Sequence, residues 1–448
     1  MSDSAQLRRE LSQRHLDMIA LGGVIGAGLF VGSSVVISET GPAACLTYAL
    51  CGALIVVVMR LLGEMATVDP AASSFADYAG RALGPWAGFS VAWLYWYFWV
   101  IVIGFEAVAG ASVLSYWWHL PTWLLALVLM AAMTATNLVS VSSFGEFEFW
   151  FAGIKVLAIV VFLVVGSAFL FGLVGGSQSP GLSNLVGHGG FFPRGVAAVF
   201  AAVVTVIFSM TGAEVVTVAA AESPQPGRAI ARATRTVGAR IGLFYVGSVF
   251  LVVAILPWDR IRPGESPYVS ALSEMGLRGA DQVMNAVVLT AVLSCLNSGL
   301  YASSRMLFML AGKGQASARL GRLTARGVPV LAILASSAVG FGAVAMARVA
   351  PQTVFLFLLN SSGAVILLIY WLITVSGIVA RRRARAMQPS ARMRRFPALS
   401  LLACVGITAV LVAMAFDPSA RSQLWLSLLS WAVIATVYTA TKRRRNVT

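Results

Sequence analysis

Charged residues are scarce in this chain. They make up 11% of its 448 residues, whereas hydrophobic residues make up 59%. A soluble globular protein carries about 25% charged residues, and the mean hydropathy of +0.85 is far from that class. A water-soluble fold is therefore excluded, and the chain is predicted to be an integral membrane protein. Its polar residues 2–17 run directly into an apolar segment, so no cleavable signal peptide is expected.

Histidine and cysteine are equally scarce, with three and four copies. The histidines lie in separate polar or boundary segments, so they form no constellation of nucleophile, base or metal ligand. The cysteines all lie within apolar segments and have neither metal-ligand spacing nor the pattern of extracellular disulfides. The chain is therefore not expected to be an enzyme, and no catalytic residue, metal or cofactor is predicted.

Long apolar runs fill the rest of the chain. Windows of about 20 residues, the length that crosses a bilayer, predict an all-α membrane protein with twelve transmembrane helices. Their predicted bounds are 16–38, 43–66, 87–116, 121–141, 149–173, 194–220, 238–257, 281–310, 328–347, 352–379, 397–416 and 423–441.

Arginine and lysine are distributed asymmetrically between the connecting segments. Most of the 32 fall in segments that are cytoplasmic if the N-terminus lies inside. By the positive-inside rule, both termini are predicted to be cytoplasmic. The same distribution explains the net charge of +15. Because the arginines sit at helix ends and not on one basic domain, no nucleic-acid partner is expected.

Glycine interrupts the first predicted helix. Residues 22–30 (GGVIGAGLF) carry four glycines, and each weakens a helix interior by about 1 kcal/mol relative to alanine. Irregular backbone survives in a membrane only where protein buries it or where it lines a cavity. A broken helix with a binding site near the membrane midplane is therefore predicted. The alternative is that pairs such as Gly22 and Gly26 form a small-residue packing face between helices.

The sixth predicted helix is interrupted at a position that corresponds to the interruption of the first. Residues 208–214 (FSMTGAE) insert polar residues and a glycine between two apolar runs. Because five helices make up each half, the halves would cross the membrane in opposite directions, as in the inverted repeats of secondary transporters. The predicted domains are an N-terminal tail (1–15), a ten-helix transport core (16–380, repeats at about 16–173 and 194–380), a basic connector (381–396), two additional helices (397–441) and a C-terminal tail (442–448).

Ionisable residues inside the predicted helices are candidates for function, since a charge at the membrane centre costs about 3 kcal/mol on insertion scales. Lys155 alone of the three lysines lies within a predicted helix, and it is the candidate for proton coupling. It could instead snorkel to the cytoplasmic surface. Glu106 and Glu214 could bind a proton, pair with Lys155 or contact a substrate ammonium, and Glu214 could also cap the broken helix. Four further carboxylates are predicted at cytoplasmic ends as gate or interface residues: Glu64, Glu146, Glu148 and Glu222.

Motifs along the chain resemble the amino acid transporter family of the amino acid–polyamine–organocation superfamily. They are residues 23–30 (GVIGAGLF), 59–65 (MRLLGEM), 145–150 (GEFEFW), 220–222 (AAE), 297–298 (NS) and 304–307 (SRML). Within this family, residues 93–99 (WLYWYFW), 294–298 (SCLNS) and 361–364 (SSGA) resemble the bacterial 4-aminobutyrate (GABA) permeases.

The resemblance implies a five-plus-five inverted-repeat fold with broken first and sixth helices, and proton-coupled amino acid uptake across a bacterial cytoplasmic membrane. It also implies that backbone amides of the first break bind the substrate carboxylate, and that carbonyls of the sixth bind its ammonium. Lys155 would carry the proton and donate to carbonyls of the first helix. The implied substrate-binding residues are Ile25, Gly26, Ala27 and Gly28 in the first break, and Phe208, Ser209, Met210, Thr211 and Gly212 in the sixth.

The predicted partners are a small amino acid, protons and the lipid bilayer, with GABA or another omega-amino acid as the substrate. The implied site binds the carboxylate and the ammonium through backbone atoms, which every residue has. The identities of these residues therefore do not indicate which amino acid is preferred. A permease or exchanger for alpha-amino acids and a membrane sensor both remain open. Met210 departs from the family, which usually has an aromatic residue there. If that residue closes over the substrate, methionine would make a softer lid.

Overall fold

Long apolar runs dictate helices in this chain, because a backbone surrounded by lipid must satisfy its own N–H and C=O groups. The computed structural model describes residues 14, 18, 22, 25–68, 74–139, 141–174, 178–219, 226–383, 396–418 and 420–445. Among these residues every regular element is helical. The α-helices are α1 (Ala27–Phe30), α2 (Ser33–Thr40), α3 (Ala44–Val68), α4 (Phe75–Leu83), α5 (Pro85–Leu114), α6 (Thr122–Val139), α7 (Val141–Leu170), α8 (Val196–Ala201), α9 (Val203–Ser209), α10 (Val215–Ala219), α11 (Pro226–Arg240), α12 (Ser248–Ile255), α13 (Pro267–Glu274), α14 (Ala280–Gly312), α15 (Val330–Ala347), α16 (Pro351–Arg383), α17 (Ala398–Phe416) and α18 (Arg421–Arg445).

Ten helical stretches of the described chain are long and apolar enough to cross a membrane. The prediction of an all-helical membrane protein is confirmed at this level. The first two predicted helices form one stretch by this measure, Ala27–Val68, since a short turn joins α2 to α3. The sixth predicted helix contributes the shorter apolar stretch Val196–Ser209, because it is broken at residues 210–214.

Some predicted bounds differ from the observed ones. The fifth predicted helix starts at Val141 and not at 149, so Glu148 lies inside it. Its acidic residues lower the local hydropathy, and an apolar window therefore begins too late. Helices α16 and α18 run on into the predicted connector and C-terminal tail. Most of the N-terminal tail, connector residues 384–395, Gly23 and Glu222 lie outside the described residues.

The core of the bundle is built around α5, which packs against α14, α15 and α16. Within its most apolar window, 89% of α5 is buried inside the protein, whereas the corresponding figures are 22% for α17 and 11% for α18. The last two helices therefore lie at the periphery, where their apolar side chains are free to face lipid.

The breaks in the first and sixth predicted helices lie against each other. Gly26 is extended (φ −133°, ψ −161°) and α1 begins immediately after it. Helix α9 ends at Ser209, and Gly212 has φ +124°, a conformation that favours glycine. A Cβ on Gly28 would stand 2.7 Å from the Ser209 Cα, so the backbones of the two breaks meet at a distance that only glycine allows.

Candidate functional site

The break in the first predicted helix presents two amides that have no acceptor among the described residues. The N–H groups of Gly26 and Gly28 donate to none of the described residues, whereas that of Ile25 donates to the Gly22 carbonyl at 3.0 Å. The first amides of a helix have no intrahelical acceptor and carry the positive end of its dipole. Within the part of the chain that the structure describes, two of the four predicted amides therefore have no protein acceptor and could bind an anion.

The break in the sixth predicted helix presents the complementary groups. The carbonyls of Ser209 and Thr211 accept no hydrogen bond from the described residues, whereas the Phe208 carbonyl accepts one from the Thr211 N–H at 3.0 Å. The side-chain hydroxyls of Ser209 and Thr211 are satisfied within the helix, by the Val206 and Ile207 carbonyls. This break therefore offers backbone acceptors to a cation.

A small cavity of about 10 Å³ lies where the two breaks meet. Both breaks, α5 and α14 line it, through Gly26, Gly28, Phe98, Trp99, Val102, Glu106, Phe208, Ser209, Thr211 and Cys295. A space of this size holds about one water molecule. The site is therefore almost closed, and an amino acid would require its walls to move apart.

Lys155 lies fully buried beside the first break. Its Nζ donates to the Ile25 carbonyl at 2.9 Å and to the Ser294 hydroxyl at 2.7 Å. The side chain has 0% exposure, so it does not snorkel to either surface. A lysine in α7 is thus tied both to the broken helix and to α14.

Glu148 shares this buried site. Its two oxygens accept from the Ser294 hydroxyl, each at 2.8 Å, and the nearer lies 3.8 Å from the Lys155 Nζ. Glu148 is predicted near a cytoplasmic helix end, but α7 begins at Val141, so Glu148 lies within the helix and is fully buried. Its predicted role as a gate or interface residue stays a prediction. The spacing of seven residues, two helical turns, could have indicated that both side chains share one face of α7.

Glu106 approaches the first break from α5. Its Oε2 accepts from the Ala27 N–H at 3.3 Å, and its side chain faces the Cys295 thiol. A Cβ on Gly26 would lie 3.0 Å from its other oxygen. A carboxylate therefore already occupies one of the amides that the sequence predicts for a substrate, and it borders the cavity.

Glu214 lies at the sixth-helix break and is held there by three donors. It accepts from the Gly212 N–H at 3.1 Å, from the Tyr370 hydroxyl at 3.0 Å and from the Tyr95 hydroxyl at 3.4 Å. These bonds agree with the capping role among the predicted alternatives. The structure brings Glu106 to Lys155 and the cavity, whereas Glu214 belongs to a separate polar cluster between α5 and α16.

Met210 is fully buried and lies against α3. Its Cε would be 3.8 Å from a Cβ on Gly52 in that helix. In the aromatic cluster of residues 93–99, Phe98 and Trp99 line the cavity, whereas the Trp96 indole donates to the Ser336 hydroxyl at 3.1 Å. The cluster therefore contributes both to the site and to helix packing.

Three aromatic rings form a chain of contacts between the cavity and a large vestibule. Phe105 packs edge-on against Phe208 (ring centroids 4.9 Å apart) and in a tilted contact against Phe355 (5.0 Å). Phe208 lines the cavity, and Phe355 lines the vestibule. The vestibule has a volume of about 1290 Å³ and opens among the segments around residues 115, 264 and 351. We call these three rings the aromatic plug.

Ion pairs join the helices at the opposite face. Glu64 in α3 pairs with Arg381 in α16 at 3.2 Å. Lys313, just after α14, pairs with Asp77 in α4, and Arg14 pairs with Glu146 in α7. We call these three pairs the ionic latch. Ion pairs therefore link the helices on one face of the molecule, whereas the aromatic plug lies toward the other.

Opposed helix breaks around a closed cavity, with buried charges beside them, define a multi-pass membrane protein of the broken-helix class. The sequence model of the amino acid permease family matches residues 15–446. The chain belongs to the amino acid permease family, as the sequence motifs predict.

Three curated relatives are similar over nearly their whole length. The gamma-aminobutyric acid permease of Bacillus subtilis is 50% identical, with 98% of this chain and 94% of the relative covered. A probable GABA permease of Pseudomonas aeruginosa is 46% identical, covering 95% and 91%. The gamma-aminobutyric acid permease of Escherichia coli is 43% identical, covering 97% and 95%.

Proposed function

We propose that the protein takes up GABA or a related omega-amino acid together with a proton, across a bacterial cytoplasmic membrane. The names of the three relatives support the substrate. One observation carries the transport mechanism: the amides of Gly26 and Gly28, which donate to none of the described residues, lie across a small buried cavity from the carbonyls of Ser209 and Thr211, which accept from none of them.

We propose twelve transmembrane helices, of which the first ten form a five-plus-five inverted repeat. The packing of one broken helix against the other and the peripheral position of α17 and α18 support this arrangement. The distribution of arginine supports cytoplasmic termini. On this orientation the aromatic plug and its vestibule face the outside, and the ionic latch faces the cytoplasm.

The backbone breaks bind the two charged ends of the substrate. A zwitterion loses water from both ends, which is costly unless protein groups replace it. The amides of Gly26 and Gly28 receive the carboxylate, and the carbonyls of Ser209 and Thr211 receive the ammonium. The cavity walls between them, such as Trp99 and Val102, set the length of substrate that fits.

Proton binding is coupled to substrate binding through the groups beside the first break. A substrate carboxylate at Gly26 would lie next to Glu106, and two carboxylates at such a distance repel unless they share a proton. Lys155 donates to the Ile25 carbonyl in the same break, so its protonation affects the geometry of the amides that follow. We therefore assign Lys155 as the proton carrier, with Glu106 as the group that senses the substrate.

In the proposed transport cycle, the aromatic plug and the ionic latch close the site on opposite sides, and they open alternately. Separation of the aromatic plug would open the site to the vestibule, whereas release of the ionic latch would open it to the cytoplasm. A lipid-embedded transporter needs the two to open in turn, because simultaneous opening would dissipate the proton gradient.

The Phe208→Ala substitution should weaken substrate binding, since the ring both lines the cavity and contacts Phe105 in the plug. We expect the KM for uptake to rise at least about tenfold, on the scale of a lost binding contact. Phe162→Ala is the matched control, because Phe162 is also buried but packs against Tyr268. Equal KM values for the two variants would show that Phe208 has no part in binding.

The proposed function is tested by uptake of radiolabelled GABA into proteoliposomes with an inward proton gradient. A panel of unlabelled amino acids competes with the label. We expect uptake to depend on the gradient and to be blocked best by omega-amino acids.

Other outcomes separate the alternatives. Preferential block by an alpha-amino acid would retain the site and discard GABA. Exchange without net uptake under a gradient would identify an exchanger. Equilibrium binding without any transport would identify a sensor.

A further inference from the structure

Lys155, Ser294 and Glu148 form a continuous chain of hydrogen bonds that points in one direction. The Lys155 Nζ donates to the Ser294 hydroxyl at 2.7 Å, and the same hydroxyl donates to both Glu148 oxygens at 2.8 Å. The three side chains are fully buried. Lys155 and Glu148 themselves are 3.8 Å apart, too far for a direct hydrogen bond. The serine hydroxyl is therefore the link between the two charged groups.

We propose that Glu148 is the internal acceptor of the transported proton, and that Ser294 relays this proton to it from Lys155. The proposal rests on the proton coupling proposed above and adds an exit route to it. Glu148 lies two helical turns from Lys155, toward the start of α7, where Glu146 joins the ionic latch. The relay therefore leads from the substrate cavity toward the cytoplasmic face.

The relay step moves one proton and leaves no net change on the serine. The Lys155 ammonium gives a proton to the Ser294 oxygen, while the Ser294 hydroxyl proton passes to a Glu148 oxygen. The ammonium becomes an amine, the carboxylate becomes a carboxylic acid, and Ser294 remains a hydroxyl. Two buried charges are thereby neutralised together, which removes the cost of holding them away from water.

The surroundings of Lys155 favour this route. The titratable groups that act on it are Glu148 in its own helix, Glu106 from α5 and Cys295 from α14. Glu106 borders the cavity, so a proton that arrives with the substrate enters from that side. Glu148 lies outside the set of cavity-lining residues, and it is reached through Ser294. Glu106 and Glu148 therefore mark the two ends of a path that passes through Lys155.

Two transport assays on reconstituted full-length protein test the relay. The first measures accumulation of radiolabelled GABA driven by an inward proton gradient. The second measures exchange of labelled for unlabelled GABA with no gradient. Exchange requires a folded protein that binds and moves substrate, and it does not require net release of a proton.

The informative variants are Glu148→Gln, Ser294→Ala and the double variant of Glu148→Gln with Lys155→Gln. We expect all three to retain exchange, while accumulation falls at least about tenfold, as for loss of a group that transfers protons. Ser303→Ala is the matched control. Its hydroxyl is equally buried in α14 but bonds the Gly299 carbonyl of the same helix, so both assays should match the wild type.

Three results would overturn the relay. The first is accumulation by Ser294→Ala or Glu148→Gln at the level of Ser303→Ala. The second is recovery of accumulation in the double variant, which would identify a structural ion pair, because a neutral pair would then suffice. The third is exchange without gradient-driven accumulation in the wild type, which removes the proposed proton coupling itself. This failure of the proton coupling is distinguished from a failure of the relay because it is observed in the wild-type protein, before any variant is made.

Discussion

The Lys155→Ala variant should lose proton-driven accumulation of substrate completely while it still exchanges labelled for unlabelled substrate. Lys155 is the fully buried cation beside the cavity and donates to the Ile25 carbonyl of the first break. Without its amine, the first break loses the cation that carries the proton in the proposed cycle. Exchange survives because the backbone amides and carbonyls that bind substrate remain. The measurement is the steady-state ratio of internal to external GABA in proteoliposomes under an inward proton gradient.

Stability needs its own control in that experiment. Removal of one partner of a buried ion pair costs about 3–5 kcal/mol, so Lys155→Ala will reduce the yield of folded protein. Rates are therefore normalised to exchange activity. Lys442→Ala is the matched control, because Lys442 is exposed near the end of α18. Unchanged accumulation by Lys155→Ala would rule out this lysine as the proton carrier.

The second large effect is expected for Gly28→Ala. The added Cβ would stand 2.7 Å from the Ser209 Cα and 3.1 Å from its Cβ. The nearest of these atoms belongs to the backbone, so no change of rotamer relieves the clash, and the two breaks must move apart. Since a displacement of about 1 Å in a binding constellation can cost about 100-fold in rate, we expect uptake to fall by about that factor.

The comparison for this variant is Gly153→Ala. A Cβ on Gly153 would have no atom within 4 Å, and this glycine lies in α7, two residues before Lys155. Its uptake should equal that of the wild type. If Gly28→Ala transported as well as Gly153→Ala, the close approach of the two breaks would be irrelevant to transport.

The helical class and the positions of the breaks could be predicted because their causes are local. Repeated glycines weaken a helix wherever they occur, so residues 22–30 were recognisable as an interruption, and the polar residues with one glycine at 208–214 interrupt the sixth apolar run in the same local way. The position of Lys155 within an apolar segment could also be predicted, and the cost of a lysine there suggests a role in proton coupling that stays a prediction. These inferences need no knowledge of which helices meet.

The partners of these residues could not be predicted, because they come from distant parts of the chain. Ser294 lies 139 residues after Lys155, and nothing in either segment indicates their contact. Glu148 is predicted near a helix end because its charge lowers the mean hydropathy of the sequence window that contains it. The aromatic plug brings together Phe105, Phe208 and Phe355, which resemble ordinary packing residues in the sequence. The orientation of Met210 toward α3 depends in the same way on tertiary packing.

The pairing of Lys155 with Glu148 also affects how the protein is made. Helix α7 must enter the membrane well before Ser294 is synthesised, and at that stage α14 cannot supply a partner for either charge. Both charges lie on one face of the same helix, two turns apart, so α7 carries its own counter-ion. The charges of Lys155 and Glu148 therefore offset each other while α7 inserts into the membrane, which lowers the cost of inserting them. The later insertion of α14 then adds Ser294 to a pair of charges that is already neutral overall.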